Sequence, residues 1–484
     1  MTVSVGIFVE EKAGSAGREK IVLVLPDAFS DKMKMLMKGE WNAFIEALDA
    51  PAHKGIRRNT LKIDETAFKT LVPFAGEAVP WCPTGYTISP DIRPGKHAAY
   101  YAGLYYVQEP TAMIPAEALS PKPGDAVLDL CAAPGGKTTQ LACKLSGEGV
   151  IVANELVASR SKILAENTER MGMVNSVLTS AFPEKLLPAF AGVFNKIQVD
   201  APCSGEGMFR KNPDAAAEWS PGRVAACAER QRKLMETVDK LLACGGEVVY
   251  STCTFSPEEN EQVMEAMLET GRYAAVPLEL PGIVGRGRPE WTLNGTKDVA
   301  AALRVMPHEV PGEGHFIAKL KKIADSPDQP RTKNKRAKKP AFARADKKTM
   351  QCLRVFCDET GLAFPEGEIL RVGDMLFAPP KGINPDRLSG MRLLRCGVPF
   401  AEVKKNRVEP THTLAMTLSR DAFGNVFDTD DDNVAFAYLK GEPLAAPVKG
   451  WCLVCWHGFP LGFGKGDGRI IKNHYPKGLR IYKK

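Results

Sequence analysis

Val127-Leu-Asp-Leu-Cys-Ala-Ala-Pro-Gly-Gly-Lys-Thr-Thr-Gln-Leu-Ala142 decides how this chain is read. A short apolar run enters a glycine-rich turn, and a helix-like segment follows. In an open α/β sheet, ligands bind at the carboxyl ends of the strands, and this first turn is the usual place. Glycines let the backbone approach a ligand closely, while the helix N-terminus offers free N–H groups. Three ligands compete for such a loop. A phosphate loop needs G-x-x-x-x-G-K-[ST]. Gly136-Lys137-Thr138 fits it, but Cys131 stands where the first glycine belongs, and Pro134 lacks an N–H. The G-x-G-x-x-G spacing of a dinucleotide site is absent. An adenosyl cofactor without phosphates needs an acid about 20 residues on, at the end of the second strand, to grip the ribose. Glu155, which ends Ile151-Val-Ala-Asn-Glu155, is 19 residues after Gly136. The pattern favours S-adenosylmethionine, held by Cys131, Ala132, Ala133, Pro134, Gly135, Gly136, Lys137 and Glu155. A surface carboxylate is the plainer alternative for Glu155.

Outward from this loop, short apolar runs recur at Gly149-Val-Ile-Val-Ala153, Lys196-Ile-Gln-Val-Asp200 and Gly246-Glu-Val-Val-Tyr250. Helical patterns lie between them, at 159–171 and 221–243. Repeated βα units predict a parallel sheet wrapped by helices, a Rossmann-like α/β domain over 109–322. An N-terminal α+β domain is expected over 1–108, a basic linker over 323–348, and a C-terminal region over 349–484 that ends in a β-rich module. A chain of 484 residues with 44% hydrophobic and 25% charged residues has material for several cores. No run of about 18 apolar residues suggests a membrane helix. Charged residues break up the apolar runs at the N-terminus, so no secretory signal is expected and the protein is expected to be cytoplasmic. The twelve cysteines then read as reduced thiols. Cys452 and Cys455 form a C-x-x-C without a partner pair, so no metal is expected there. The net charge of +7 is concentrated between Arg331 and Lys348, where nine basic side chains meet only Asp346. Such a segment suits a polyanion such as RNA, although a solvated linker would look the same.

Two cysteines follow strands of the same predicted sheet. One lies in Asp200-Ala-Pro-Cys203-Ser-Gly-Glu-Gly-Met208, the other in Ser251-Thr-Cys253. Both should face the carboxyl edge, beside the cofactor. A single free cysteine is most often a small buried hydrophobe. Two at strand ends, one three residues after Asp200, suggest chemistry instead. Carbon 5 of cytosine is a poor nucleophile, and a thiolate adding to carbon 6 makes it reactive. That route needs an attacking thiol, a group that assists elimination and an acid near the ring's polar edge. Cys253, Cys203 and Asp200 supply those types. Residue type alone does not say which thiol attacks.

With Leu128-Asp-Leu-Cys-Ala-Ala-Pro-Gly-Gly-Lys137, these two motifs make the chain resemble the Nop/Sun (NSUN) family of RNA 5-methylcytosine methyltransferases, over about Pro26 to Lys322. The tail is similar to the PUA-like RNA-binding module of the family's bacterial ribosomal members, through Gly458-Phe-Pro-Leu-Gly462 and Lys472-Asn-His-Tyr-Pro476. The resemblance implies a class I methyltransferase fold and methylation of carbon 5 of cytosine in RNA. It makes Cys253 the nucleophile and Cys203 an aid to product release. Asp200 would sit between cofactor and base, with Arg160 supporting the cofactor. Small-subunit rRNA or the assembling 30S subunit would be the partner, and a monomer is expected. One departure stands out: Val177-Leu-Thr-Ser-Ala-Phe-Pro-Glu184 lacks the aspartate the family often has near the adenine, leaving Glu184 or backbone groups as substitutes.

Lys54, Arg57 and Arg58 are candidates for RNA backbone contact. In the tail, Lys465, Arg469, Lys472, His474, Lys477, Arg480, Tyr475 and Tyr482 interleave basic and aromatic types suited to phosphate contact and stacking. Two rival functions are a nucleotide-phosphate enzyme using Gly-Gly-Lys-Thr and a non-catalytic RNA-binding assembly factor. Cys131 and Pro134 argue against the first, and the presence of both motif cysteines against the second.

Overall fold

The computed structural model describes residues 25–327 and 342–481. Most of the basic run, Arg331 to Lys338 with Lys339, lies outside the described residues, as does Tyr482.

A nine-stranded sheet forms the centre. Its strands, in chain order, are β1 (Ala126–Asp129), β2 (Val150–Asn154), β3 (Ser176–Thr179), β4 (Phe194–Asp200), β5 (Leu242–Thr252), β6 (Tyr273–Ala275), β7 (Leu303–Val305), β8 (His315–Lys322) and β9 (Leu393–Cys396). Their order is β6-β8-β5-β4-β1-β2-β3-β9, with β7 also on β8. The pairs within β5-β4-β1-β2-β3 are parallel, and β6, β7, β8 and β9 join antiparallel. Helices α1 (Gly136–Leu145), α2 (Ala158–Arg170) and α3 (Pro221–Leu241) are crossovers between the parallel strands. The continuous apolar character of β1, β2 and β3 follows from burial on both faces.

The N-terminal domain is a four-stranded antiparallel sheet preceded by the helices Asp27–Met37 and Trp41–Asp49. Those helices bury Phe29, Met33 and Phe44 against Phe209, Trp219 and Phe255 of the central domain. The C-terminal region carries two five-stranded sheets. The last, built on Lys449–Trp456 and Phe459–Asp467, shares one apolar core with the N-terminal sheet, where Tyr438, Trp456 and Tyr475 join Phe68 and Tyr105. Cys452 and Cys455 are fully buried within Lys449–Trp456 and point into different cores. They cannot share a ligand.

One strand crosses the boundary between the central domain and the C-terminal region. β9 pairs with β3, so the C-terminal region closes an edge that would otherwise expose unpaired N–H and C=O groups. Arg395 is buried there and donates to Ser176 Oγ at 3.1 Å. Gly397 then turns the chain back into its own sheet. Its φ is +70°, its N–H donates to Ser176 O, and a Cβ would lie 2.0 Å from the carbonyl of Ala378. Gly397→Ala is expected to destabilise the protein by about 1–3 kcal/mol in denaturant unfolding. Gly373→Ala, also at positive φ but with open space around it, should lose less.

Candidate active site

Strand order fixes the site. β1 lies between β2 and β4, and β4 pairs with β5 in a register that sets Asp200 opposite Ser251. The loops after β1, β2, β4 and β5 therefore open along one carboxyl edge.

The loop after β1 is held from three sides. Arg160 donates to Ala133 O at 2.7 Å, and Asn167 to Pro134 O at 2.8 Å. Arg57 donates to Gly136 O at 3.1 Å and to Thr139 Oγ1 at 2.7 Å. Arg57 is fully buried, so the expectation that it contacts RNA is wrong. Its guanidinium clamps the loop to the N-terminal domain, beside Gln108. Arg58 is half-buried and donates to Ile63 O, and Lys54 alone of the three is exposed. The N-terminus of α1 has no side-chain cap, so its first N–H groups are free to bind a ligand. At its base, Asp129 is fully buried. Thr138 Oγ1 donates to Asp129 Oδ2 at 2.6 Å, and Oδ1 has no partner. Burial pushes the Asp129 carboxyl up to about 7, against the Thr138 hydrogen bond. Sequence reading missed Asp129 because it looked like one more strand residue.

Glu155 is almost fully buried at the end of β2 and accepts from Val157 N–H at 2.9 Å. Arg160 lies 3.5 Å from it. After β3, Asn154 clamps the backbone of Ala181 through its side-chain amide. Phe182 is 60% exposed in this turn, and Glu184 is exposed beyond it.

After β4 and β5 the two thiols meet. Cys203 Sγ and Cys253 Sγ are 3.5 Å apart and partly buried. Their loops are cross-braced. Ser204 N–H and Gln231 both donate to Glu259, Ser204 Oγ lies 2.8 Å from Thr254 Oγ1, and Gly207 N–H donates to Cys253 O. Glu206 receives Phe255 N–H, Ser256 Oγ and Trp219 Nε1. The hydrogen bond with Cys253, and burial, push the Cys203 thiol well above its usual range. Asp200 accepts from Lys137 Nζ at 2.7 Å and from Ser251 Oγ at 3.0 Å. Burial would raise its carboxyl, but Lys137, with His315 and Ser251, outweighs that and holds it below the ordinary range. The same pairing keeps Lys137 charged despite its burial. A lysine committed to a carboxylate is not free to hold phosphate, which adds to the case against a nucleotide-phosphate loop.

The family model described as 16S rRNA methyltransferase RsmB/F matches residues 116–321. The N-terminal domain of 16S rRNA methyltransferase RsmF matches 25–110, the first C-terminal domain of RsmF 355–418, and the RsmF PUA domain 425–481. Ribosomal RNA small subunit methyltransferase F of Vibrio vulnificus is 34% identical over 94% of this chain and 97% of its own length. The chain belongs to this family of 16S rRNA methyltransferases. The enzyme of the same name from Shewanella oneidensis is 35% identical over 90% of the chain and 92% of its own. Among solved structures, a methyltransferase homolog from Pyrococcus horikoshii aligns over 62% of this chain and 96% of its own, at 31% identity and a TM-score of 0.55. NSun6 from the same organism, solved with SFG, aligns over 62% of this chain and 99% of its own, at 25% identity and a TM-score of 0.54. The family has a class I methyltransferase domain, an N-terminal domain and a PUA domain, in agreement with the fold expected from sequence.

The PUA-domain sheet also corrects one expectation. Tyr475 is buried against Tyr438 and His412 and is not a stacking surface. Lys472 is exposed and stands directly across from exposed Lys465 on the neighbouring strand. Among the described residues, no helix is long and apolar enough to cross a membrane.

Asp129 yields a pH test. Its carboxyl is raised in the folded state, so ionising it costs stability that is absent below about pH 4 and fully felt above about 7. Asp129→Asn is therefore expected to stabilise the unliganded protein increasingly between those limits, by up to roughly 4 kcal/mol. Unfolding curves at pH 5 and pH 8 would show it, and a difference that shrinks as pH rises would refute the burial reading.

Proposed function

We propose that this protein transfers a methyl group from S-adenosylmethionine to carbon 5 of a cytosine in 16S rRNA, through a covalent bond between Cys253 and carbon 6. The observation that carries this is the pair of thiols 3.5 Å apart, beside the Lys137–Asp200 ion pair and one strand from the cofactor loop. The site fits S-adenosylmethionine by its donor set. An uncapped helix N-terminus suits the carboxylate of the amino-acid end. The unpartnered Asp129 Oδ1 suits the ammonium, and the near-buried Glu155 suits vicinal hydroxyls. Residues 131–137 line the space between them, and Arg160 acts on the cofactor through Ala133 and Glu155. The NSun6 relative was solved with an analogue of this cofactor. When bound, S-adenosylmethionine supplies an electrophilic methyl group.

The protein's own residues do the rest. The Cys253 thiolate adds to carbon 6, and electron density moves toward the polar edge of the ring. Lys137, held cationic by Asp200, meets that charge, while Asp200 accepts from the ring's amino group. Carbon 5, now enamine-like, takes the methyl. Loss of the carbon 5 proton then restores the ring and expels Cys253. Cys203, kept protonated and in contact with Cys253, stabilises the departing thiolate. A base reaching these thiols must leave its stack, so a loop or splayed nucleotide is the substrate. Lys54, Lys465 and Lys472 are exposed and supply phosphate contacts. Lys465 and Lys472 stand directly across from each other on neighbouring strands. Free rRNA or the assembling 30S subunit, met by a monomer in the cytoplasm, completes the reading.

The two cysteines separate by experiment. Cys203→Ala is expected to accumulate a covalent RNA–protein adduct on a denaturing gel, and Cys253→Ala to form none. The reverse pattern would exchange their roles. Binding of ATP in place of S-adenosylmethionine would remove the cofactor assignment.

A further inference from the structure

His315 opens β8, next to β5, whose last residue Thr252 precedes Cys253. The antiparallel ladder between β8 and β5 places Phe316 opposite Thr252. His315 precedes Phe316 and Cys253 follows Thr252, so the two residues lie just past the same open end of that ladder. The two backbones converge on Gly207, where a Cβ would lie 2.9 Å from Cys253 O and 2.6 Å from Glu313 O.

The ring of His315 is oriented from behind. Thr111 Oγ1 donates to Glu109 Oε1 at 2.7 Å, and Thr111 N–H to Glu109 Oε2 at 2.9 Å. With its proton committed to Glu109, Thr111 Oγ1 can only accept from His315 Nδ1, 3.1 Å away. Nδ1 therefore carries the ring proton, and Nε2 keeps its lone pair. Among the described residues the ring's hydrogen bond is the one at Nδ1, and the residue retains 5% exposure. Burial lowers the tendency of His315 to protonate. Lys137 and Lys211 act in the same sense, opposed by Glu109 and Asp200, so the ring is neutral near pH 7. The reaction proposed above needs a group that removes the carbon 5 proton. Cys203 cannot do so while its thiol is protonated, as its contact with Cys253 and its burial require.

We infer that His315 is the base that takes the carbon 5 proton after methyl transfer, with Thr111 and Glu109 positioning its ring. The carbon 5–hydrogen bond breaks and its proton passes to Nε2. Its electron pair forms the carbon 5–carbon 6 double bond. The carbon 6–sulfur bond breaks with its pair on Cys253, beside the Cys203 thiol. The resulting imidazolium is balanced through Thr111 by Glu109, whose Oε1 lies 3.7 Å from Nδ1. The inference rests on the covalent mechanism proposed above.

The test uses the full chain with small-subunit rRNA and S-adenosylmethionine labelled in the methyl group. His315→Gln is expected to accumulate an RNA–protein adduct that carries the label, with release slowed about 100-fold or more, the range of general-base contributions. The wild-type rate should fall at acid pH as His315 protonates, and that limb should vanish in the variant. Thr111→Val, which keeps the ring but removes its orienting acceptor, should slow release by a smaller factor with cofactor affinity unchanged. It also serves if His315→Gln fails to fold. Release at the wild-type rate in both variants would overturn the inference. So would an unlabelled adduct, or no adduct at all from a variant that still binds cofactor. RNA containing 5-fluorocytosine, whose carbon 5 substituent no base can remove as a proton, should trap wild type and His315→Gln alike. Failure to trap either would sink the cysteine chemistry itself, independently of His315.

Discussion

The parallel pairing of β4 with β5 is the constraint on which the site depends. It sets Asp200 opposite Ser251, and each strand then releases its chain into a loop at the same edge. Only with that register do Cys203, three residues past one strand, and Cys253, one residue past the other, bring their sulfurs to 3.5 Å. A one-residue slip would turn the side chains of one strand to the other face. The register is secured by apolar burial, since Ile197, Val199, Val248 and Tyr250 are almost fully enclosed. The polar braces at Glu206 and Glu259 then hold the two loops to each other.

The electrostatics of the edge follow from burial. Asp129, Glu155 and Lys137 have little solvent to screen them, while the Asp200 side chain is 33% exposed. Arg160 lies beside Glu155, and Lys137 pairs with Asp200. Lys137 holds Asp200 ionised and leaves Asp129, further from it and deeper, with its carboxyl raised. The ion pair thus keeps one acid charged at the carboxyl edge of the sheet. It also takes Lys137 out of contention as a phosphate ligand, although Gly-Gly-Lys-Thr looks suited to that task.

Much of this was legible in the sequence. The β-strand runs at 126–131, 149–153, 196–200 and 246–250, the glycine-rich loop after the first of them and the two cysteines at strand ends all depend on local pattern, and β1, β2, β4 and β5 form there. What was not legible depends on contacts distant along the chain. Arg57 sits in a basic stretch that resembles a surface, but its strand faces the cofactor loop. Tyr475 lies among basic residues, yet its ring fills the core between Tyr438 and His412. Leu393–Cys396 could be given to the central sheet only by seeing β3 lack a neighbour. His315 belongs to no motif, and only the antiparallel return of β8 brings it to the end of β5 that Cys253 follows.

The most direct measurement is peptide mapping, by mass spectrometry, of the protein trapped on small-subunit rRNA that contains 5-fluorocytosine, in the presence of S-adenosylmethionine. A single nucleotide attached through carbon 6 to Cys253, with a methyl group on carbon 5, is the expected result. Attachment to Cys203, or a cytosine methylated without any covalent bond to the protein, would contradict it.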